Sequence, residues 1–149
     1  MNIRLAKTED FPALYEVGKN TPEFRVSANQ VFMDADEFSW AISGNKNSVF
    51  LVAEEDCEVA GFIYANAKDL DKPLKNKYAT LVYIVVLPDF RKQGIAEMLY
   101  KDCEIRLRDL GITNICSWAS LEGDGSISRF LQRQGFAKGH EYAWFDKEL

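Results

Sequence analysis

Hydrophobic positions change period sharply near the middle of the chain. Ala79 to Leu87 is apolar or β-branched almost throughout, the pattern of a strand covered on both faces. Pro88 has no N–H to donate and ends that strand's ladder. Beyond Gly94 the spacing becomes helical. Ile95, Leu99, Cys103, Leu107 and Leu110 recur on one side, with Glu97, Lys101, Asp102, Arg106, Arg108 and Asp109 mostly on the other. The pattern predicts a strand, a sharp turn and a long helix that Gly111 ends.

Upstream, Asn2 to Ala6 reads as a short strand. Thr8 is the expected N-cap of a helix carrying Phe11, Leu14, Tyr15 and Val17, with Glu9 and Asp10 in its first turn. Pro22 breaks that helix. A second helix is expected from about Ser27 to Ser43, with Val31, Phe32, Ala35, Phe38 and Ile42 on its apolar side and Gly44 as its stop. Ser48 to Glu54 and Glu58 to Ala67 are β-rich runs about the polar turn Glu55-Asp56-Cys57, which makes a hairpin. The polar stretch from Asn66 to Lys77, which holds Pro73, reads as a loop.

Downstream, Ile112 to Ala119 predicts a strand and Leu121 to Ser126 a loop. Asp124 or Ser126 caps a short helix carrying Ile127, Phe130 and Leu131, closed by Gly135-Phe136. Glu141 to Lys147, with Tyr142, Trp144 and Phe145, is the expected final strand. No repeat, linker or low-complexity segment interrupts the alternation, so residues 1–149 are expected to form one domain. A mixed sheet with helices on both faces follows from that order.

The central turn is where chemistry is expected. A turn that leads into a helix start collects backbone N–H groups without intrahelical partners, at the positive end of the helix dipole. Such a place suits a phosphate. Gly94 and the small Ala96 allow close approach to the backbone, and Arg91 and Lys92 add positive charge. Two other phosphate loops are excluded, because the chain has neither G-x-G-x-x-G nor G-x-x-x-x-G-K-[ST]. An ordinary strand-turn-helix connection carries the same kind of glycine, so spacing alone leaves that reading open.

The run Val86-Leu87-Pro88, followed by Arg91-Lys92-Gln93-Gly94-Ile95-Ala96, resembles the acetyl-CoA-binding motif of the GNAT N-acetyltransferase superfamily. That motif is R/Q-x-x-G-x-G/A after a strand ending in V-x-P, and here it stands without gaps. The order of elements resembles the same family over essentially the whole chain. The resemblance implies the GNAT fold, an α/β (α+β) arrangement. It comprises a twisted, mostly antiparallel mixed sheet of six to seven strands with about four helices on both faces. It implies acetyl-CoA as co-substrate, with the backbone of Ile84, Val85 and Val86 pairing with the pantetheine amides as an added strand. Backbone N–H groups of Arg91, Lys92, Gln93, Gly94, Ile95 and Ala96 would hold the pyrophosphate. An amine would then attack the thioester carbonyl directly.

Two family features are missing. Where members often show Y-x-x-x-G-F, this chain reads Leu131-Gln132-Arg133-Gln134-Gly135-Phe136, and leucine cannot protonate a departing thiolate. The start of the motif strand, Ala79-Thr80-Leu81-Val82-Tyr83, offers no glutamate as base. Candidate proton acceptors are His140, whose residue type titrates near neutrality, and Glu122, which follows the fifth strand. Incidental loop placement is the simpler account of either. Arg129 and Arg133 are candidates for the coenzyme phosphates or for a solvated helix face. Phe32, Phe38 and Trp40 lie in the region that forms the acceptor wall in the family, and their spacing also fits ordinary core.

Composition narrows the partners. The net charge of −5 and the lack of any Lys/Arg run longer than two argue against nucleic acid. The same acidity tilts the acceptor toward a cationic amine. Apolar runs are only strand-length, so no membrane span is expected, and the N-terminus has no apolar core of a signal peptide. Three cysteines without C-x-x-C spacing and a single histidine leave no zinc site and fit reduced thiols in a cytoplasm. The expected activity is an acetyl-CoA-dependent N-acetyltransferase acting on a small-molecule or peptide amine, with a homodimer left open. A catalytically weak coenzyme-binding module and a GNAT-type toxin acting on aminoacyl-tRNA are the alternatives.

Overall fold

The computed structural model describes all 149 residues. Strands β1 (Asn2–Leu5), β2 (Ser48–Glu55), β3 (Glu58–Ala67), β4 (Tyr78–Val86) and β5 (Asn114–Ser117) form one sheet in sequential order. Every pairing is antiparallel except β4 with β5, which is parallel. Helices α1 (Phe11–Lys19) and α2 (Ala35–Ile42) cover one face, and α3 (Ile95–Asp109) and α4 (Ser126–Arg133) cover the other.

The two faces bury different chemistry. Against α3 and α4 the core is largely aliphatic, with Leu51, Ile63, Leu99 and Leu107 at most 1% exposed. Against α1 and α2 it is aromatic, with Phe32, Phe38, Phe50, Phe62, Tyr64 and Tyr83 in one cluster. Ring contacts tie that cluster together, for example Phe38 edge-on to Phe50 at 5.4 Å and Phe50 stacked on Tyr64 at 5.2 Å. The hairpin between β2 and β3 turns on Asp56 and Cys57, both with positive φ, and Glu55 pairs with Glu58. That is the geometry a two-residue turn needs to match strand twist.

Several sequence expectations change, among them the strand expected from Ile112 to Ala119, which is limited to Asn114–Ser117. The sheet has five strands rather than six or seven, because Glu141 to Lys147 pairs with nothing and leaves Tyr142, Trp144 and Phe145 exposed. Its aromatic residues suit a strand, but strand propensity acts only where a neighbour exists to pack against. The second helix begins at Ala35, not Ser27. Before it, Val26 and Ser27 donate to Gln30 O, and the Arg25 side chain holds Ser27 O and Ala28 O, so local bonds replace helical ones. Phe32 and Met33 are still buried, but from a loop. Thr8 opens a short 3-10 turn (Thr8–Asp10) rather than capping the helix. Leu110, placed on the apolar side, is 38% exposed.

Candidate functional site

The site is built by a strand that loses one neighbour. Tyr78 to Leu81 of β4 pairs with β3 on one side and with Asn114 to Ser117 of β5 on the other. At Leu81 the second pairing stops. There β3 steps from Tyr64 to Ala65 while β4 steps from Tyr83 to Leu81, so Val82 is an extra residue. Such a bulge bends and twists its strand, and this one falls where the pairing with β5 ends. Ser117 Oγ, donating to Leu81 O at 3.0 Å, closes the last paired position.

Beyond the bulge, strand geometry decides which backbone groups are free. Leu87 N–H donates to Ala60 O at 2.9 Å. Bonded and non-bonded pairs alternate along an antiparallel ladder, so Val85 opposite Phe62 and Tyr83 opposite Tyr64 spend their backbone groups on β3. Ile84 and Val86 direct theirs to the open edge. This corrects the expectation for Val85, whose backbone is committed to the sheet while its side chain joins the aromatic core.

The strand runs into a short 3-10 turn, Pro88–Phe90, and then the loop to α3. Lys92 (φ 63°) and Gly94 (φ 76°) both take the left-handed conformation, which folds successive N–H groups into a concave arrangement. A Cβ on Gly94 would meet nothing within 4 Å, so its conformation rather than its size explains the glycine. The N–H groups of Lys92, Gln93, Gly94, Ile95, Ala96 and Glu97 have no acceptor within the protein. Arg91 differs from the sequence expectation: its N–H is used by Pro88 O at 3.2 Å, because it closes the 3-10 turn. Its side chain turns back, and Nε donates to Val86 O at 3.0 Å.

Both candidate proton acceptors lie beyond β5 in the chain. His140 lies 6.5 Å from the Tyr142 ring and lines a cavity of about 650 Å³ between β5, the second half of α3 and residues 134–142. No residue from Ile84 to Ala96 lines that cavity. Glu122 is exposed on the loop leaving β5, its N–H donating to Ser120 Oγ. Arg129 is engaged with Asp124 O at 2.8 Å and Arg133 is exposed. Leu131 is 7% exposed and packs in the aliphatic core, so it contributes no polar group.

Sequence reasoning missed two parts, the bulge at Val82 and the Arg91 side-chain contact, and neither left a local signal. On the aromatic side, burial pushes the Tyr83 phenol up to about 12, with the Glu37 charge adding to the effect. Tyr64 is also raised by burial, with Glu37 again contributing. Both phenols stay protonated near neutrality, and the Glu37 charge near the start of α2 acts on each. Phe24, from the 3-10 turn Pro22–Phe24, lies over Tyr83 at 4.6 Å.

Residues 12–136 match the acetyltransferase (GNAT) family. Among solved structures, the chain is similar to the aminoglycoside 6'-N-acetyltransferase AAC(6')-Ig from Acinetobacter haemolyticus. The identity is 22%, covering 100% of this chain and 99% of that one, with a TM-score of 0.74. It is similar to AAC(6')-Iy in complex with CoA at 18% identity, 99% and 100% coverage and a TM-score of 0.72. A variant of the BH1408 protein from Bacillus halodurans gives 16% identity, 99% and 100% coverage and a TM-score of 0.80. Likeness at these identities establishes the fold. No curated protein sequence matches.

Proposed function

Because the chain belongs to the acetyltransferase (GNAT) family, we propose that it moves an acetyl group from acetyl-CoA to a primary amine. One observation carries the reading: the open edge at Ile84 and Val86 leads directly into unpartnered N–H groups from Lys92 to Glu97. An amide-bearing arm and a pyrophosphate, joined in that order, need these two surfaces side by side. The fit is chemical as well as spatial, since the loop offers donors to an anion and no carboxylate hydrogen-bonds them.

In the reaction a neutral amine attacks the thioester carbonyl carbon. The C–N bond forms, the C–S bond breaks, and the nitrogen loses a proton as the thiolate departs. The departing group is a thiol whose reference pKa is not far above neutrality, so it needs little help from an acid at the Leu131 position. His140 and Glu122 are the proton acceptors to test. If His140 takes the proton, His140→Ala lowers kcat/KM and flattens its rise with pH; an unchanged profile removes it.

Three features favour a cationic small-molecule amine as acceptor. Net charge is −5, the start of α2 carries Asp34, Asp36 and Glu37, and similar structures act on aminoglycosides. The second reading, a coenzyme-binding module with weak turnover, is favoured by the buried Leu131. Thiol release from acetyl-CoA across a panel of polyamines, aminoglycosides and peptide amines separates the two. Amine-dependent release supports the enzyme, and binding of acetyl-CoA without release on any amine supports the module.

A further inference from the structure

We propose that Arg91 is a positioning residue: its Nε–H latches the phosphate-binding loop to the open edge of β4, and its charge is not what binds the donor. The inference rests on the reading of this cleft as an acetyl-CoA site.

Three observations converge on the latch. First, Nε donates to Val86 O at 3.0 Å, and Val86 O is one of the carbonyls that strand alternation turns toward the vacated edge. Left alone, that carbonyl would face the cleft beside Ile84. The bond occupies it and leaves the N–H of Val86 and both backbone groups of Ile84 for a ligand. Second, the bond crosses the one joint that matters. Val86 ends β4, Arg91 ends the 3-10 turn, and the unpartnered N–H groups begin at Lys92. Holding Val86 to Arg91 therefore sets the distance between the edge that meets the arm and the loop that meets the phosphates. Such preorganisation raises affinity without touching the ligand.

Third, the bonded atom is Nε rather than a terminal guanidinium nitrogen. Glutamine carries Nε2 at the same number of bonds from its backbone. The two share an N–H at that atom and do not share a charge. Lysine reverses the comparison, since it keeps the charge and places no donor there.

The test is acetyl-CoA binding by calorimetry to the wild-type chain and to Arg91→Gln, Arg91→Lys and Arg91→Ala, with each variant's melting temperature as a check on folding. The latch predicts that Arg91→Gln keeps its affinity within about twofold while Arg91→Lys and Arg91→Ala each lose roughly fivefold, the worth of one net hydrogen bond. S-acetylpantetheine, which has no pyrophosphate, should weaken by a similar factor in the same two variants. Direct pairing with phosphate predicts the reverse order, with lysine tolerated, glutamine costly and S-acetylpantetheine unaffected. That order overturns the proposal, and so does equal loss, or no loss, in all three variants. A wild-type chain that binds no acetyl-CoA overturns the site itself, which is a different outcome.

Discussion

The two halves of β4 have similar sequences and opposite duties. Tyr78 to Leu81 is paired on both sides and stitched further by side chains. Ser117 Oγ donates to Leu81 O, and Cys116 Sγ lies 3.6 Å from Ala79 O. Val82 to Val86 keeps only β3 and offers its other edge. Apolar residues fill both halves, so hydrophobicity does not distinguish them. Two features make the difference: β5 stops after four residues, and β4 carries one extra residue, Val82, next to its last paired position. A binding edge here is made by taking a neighbour away.

The largest break in this comparison is expected at the end of the open half. Gly94→Asp places a carboxylate among the N–H groups proposed for pyrophosphate. Like-charge opposition of this kind costs several kcal/mol, so acetyl-CoA affinity should fall by at least roughly a hundredfold in calorimetry. Affinity retained within tenfold would move the phosphates elsewhere. On the closed side, Gly61 lies opposite Val86, and a Cβ there would sit 2.4 Å from Val85 O. Gly61→Ala must push β3 from β4 and should cost about 2 to 3 kcal/mol by denaturant titration. A wild-type midpoint would mean that the sheet spreads without strain.

Ser117→Ala tests the seam between the halves. Losing the bond to Leu81 O should cost about 1 kcal/mol of stability. If the bulge alone holds the strands apart, acetyl-CoA affinity stays within twofold; a larger drop would assign the splay to the serine. The smallest effect lies far from β4. Arg4 grips Asp10 with two nitrogens, at 2.7 and 2.9 Å, and Glu54 with a third at 2.8 Å. The hydrogen bonds from Arg4 hold the Asp10 carboxyl below its ordinary value. The resulting stability is present above the unfolded-state value and is lost as pH falls through the lower folded-state one. Asp10→Asn should therefore lessen acid destabilisation below about pH 4 while leaving acetyl-CoA binding alone. An unchanged acid slope would assign the loss to other carboxylates.

Much of this fold is legible where a local signal coincides with a tertiary one. The apolar run of β4, Pro88, Gly94 and the helical repeat of α3 all agree, and the β2–β3 hairpin reads correctly to within a residue. Residues 27–34 mislead because Phe32 and Met33 have helix-compatible spacing but are drawn into the aromatic core singly. A Cβ on Gly18 would fall 2.0 Å from Phe32 Cε1, so that glycine makes room for the ring. Glu141 to Lys147 misleads for the opposite reason, having strand propensity without a strand beside it. At the site, the glycine turn is readable and the choice of Ile84 and Val86 over Val85 is not. Which amides point outward depends on register with β3, and register is a property of two strands together.

The alternation along β4 also has a signature in time. Amides held in a ladder exchange with solvent deuterium only when the sheet opens, while unpartnered exposed amides exchange freely. Without donor, Tyr83 and Val85 should exchange slowly, Ile84 and Val86 faster, and Lys92 to Glu97 quickest. Bound acetyl-CoA would slow Ile84 and Val86 and quiet the loop, with no change at Tyr83 or Val85. Residue-resolved exchange would thus trace the outline of the ligand in a strand whose side chains give no hint of it.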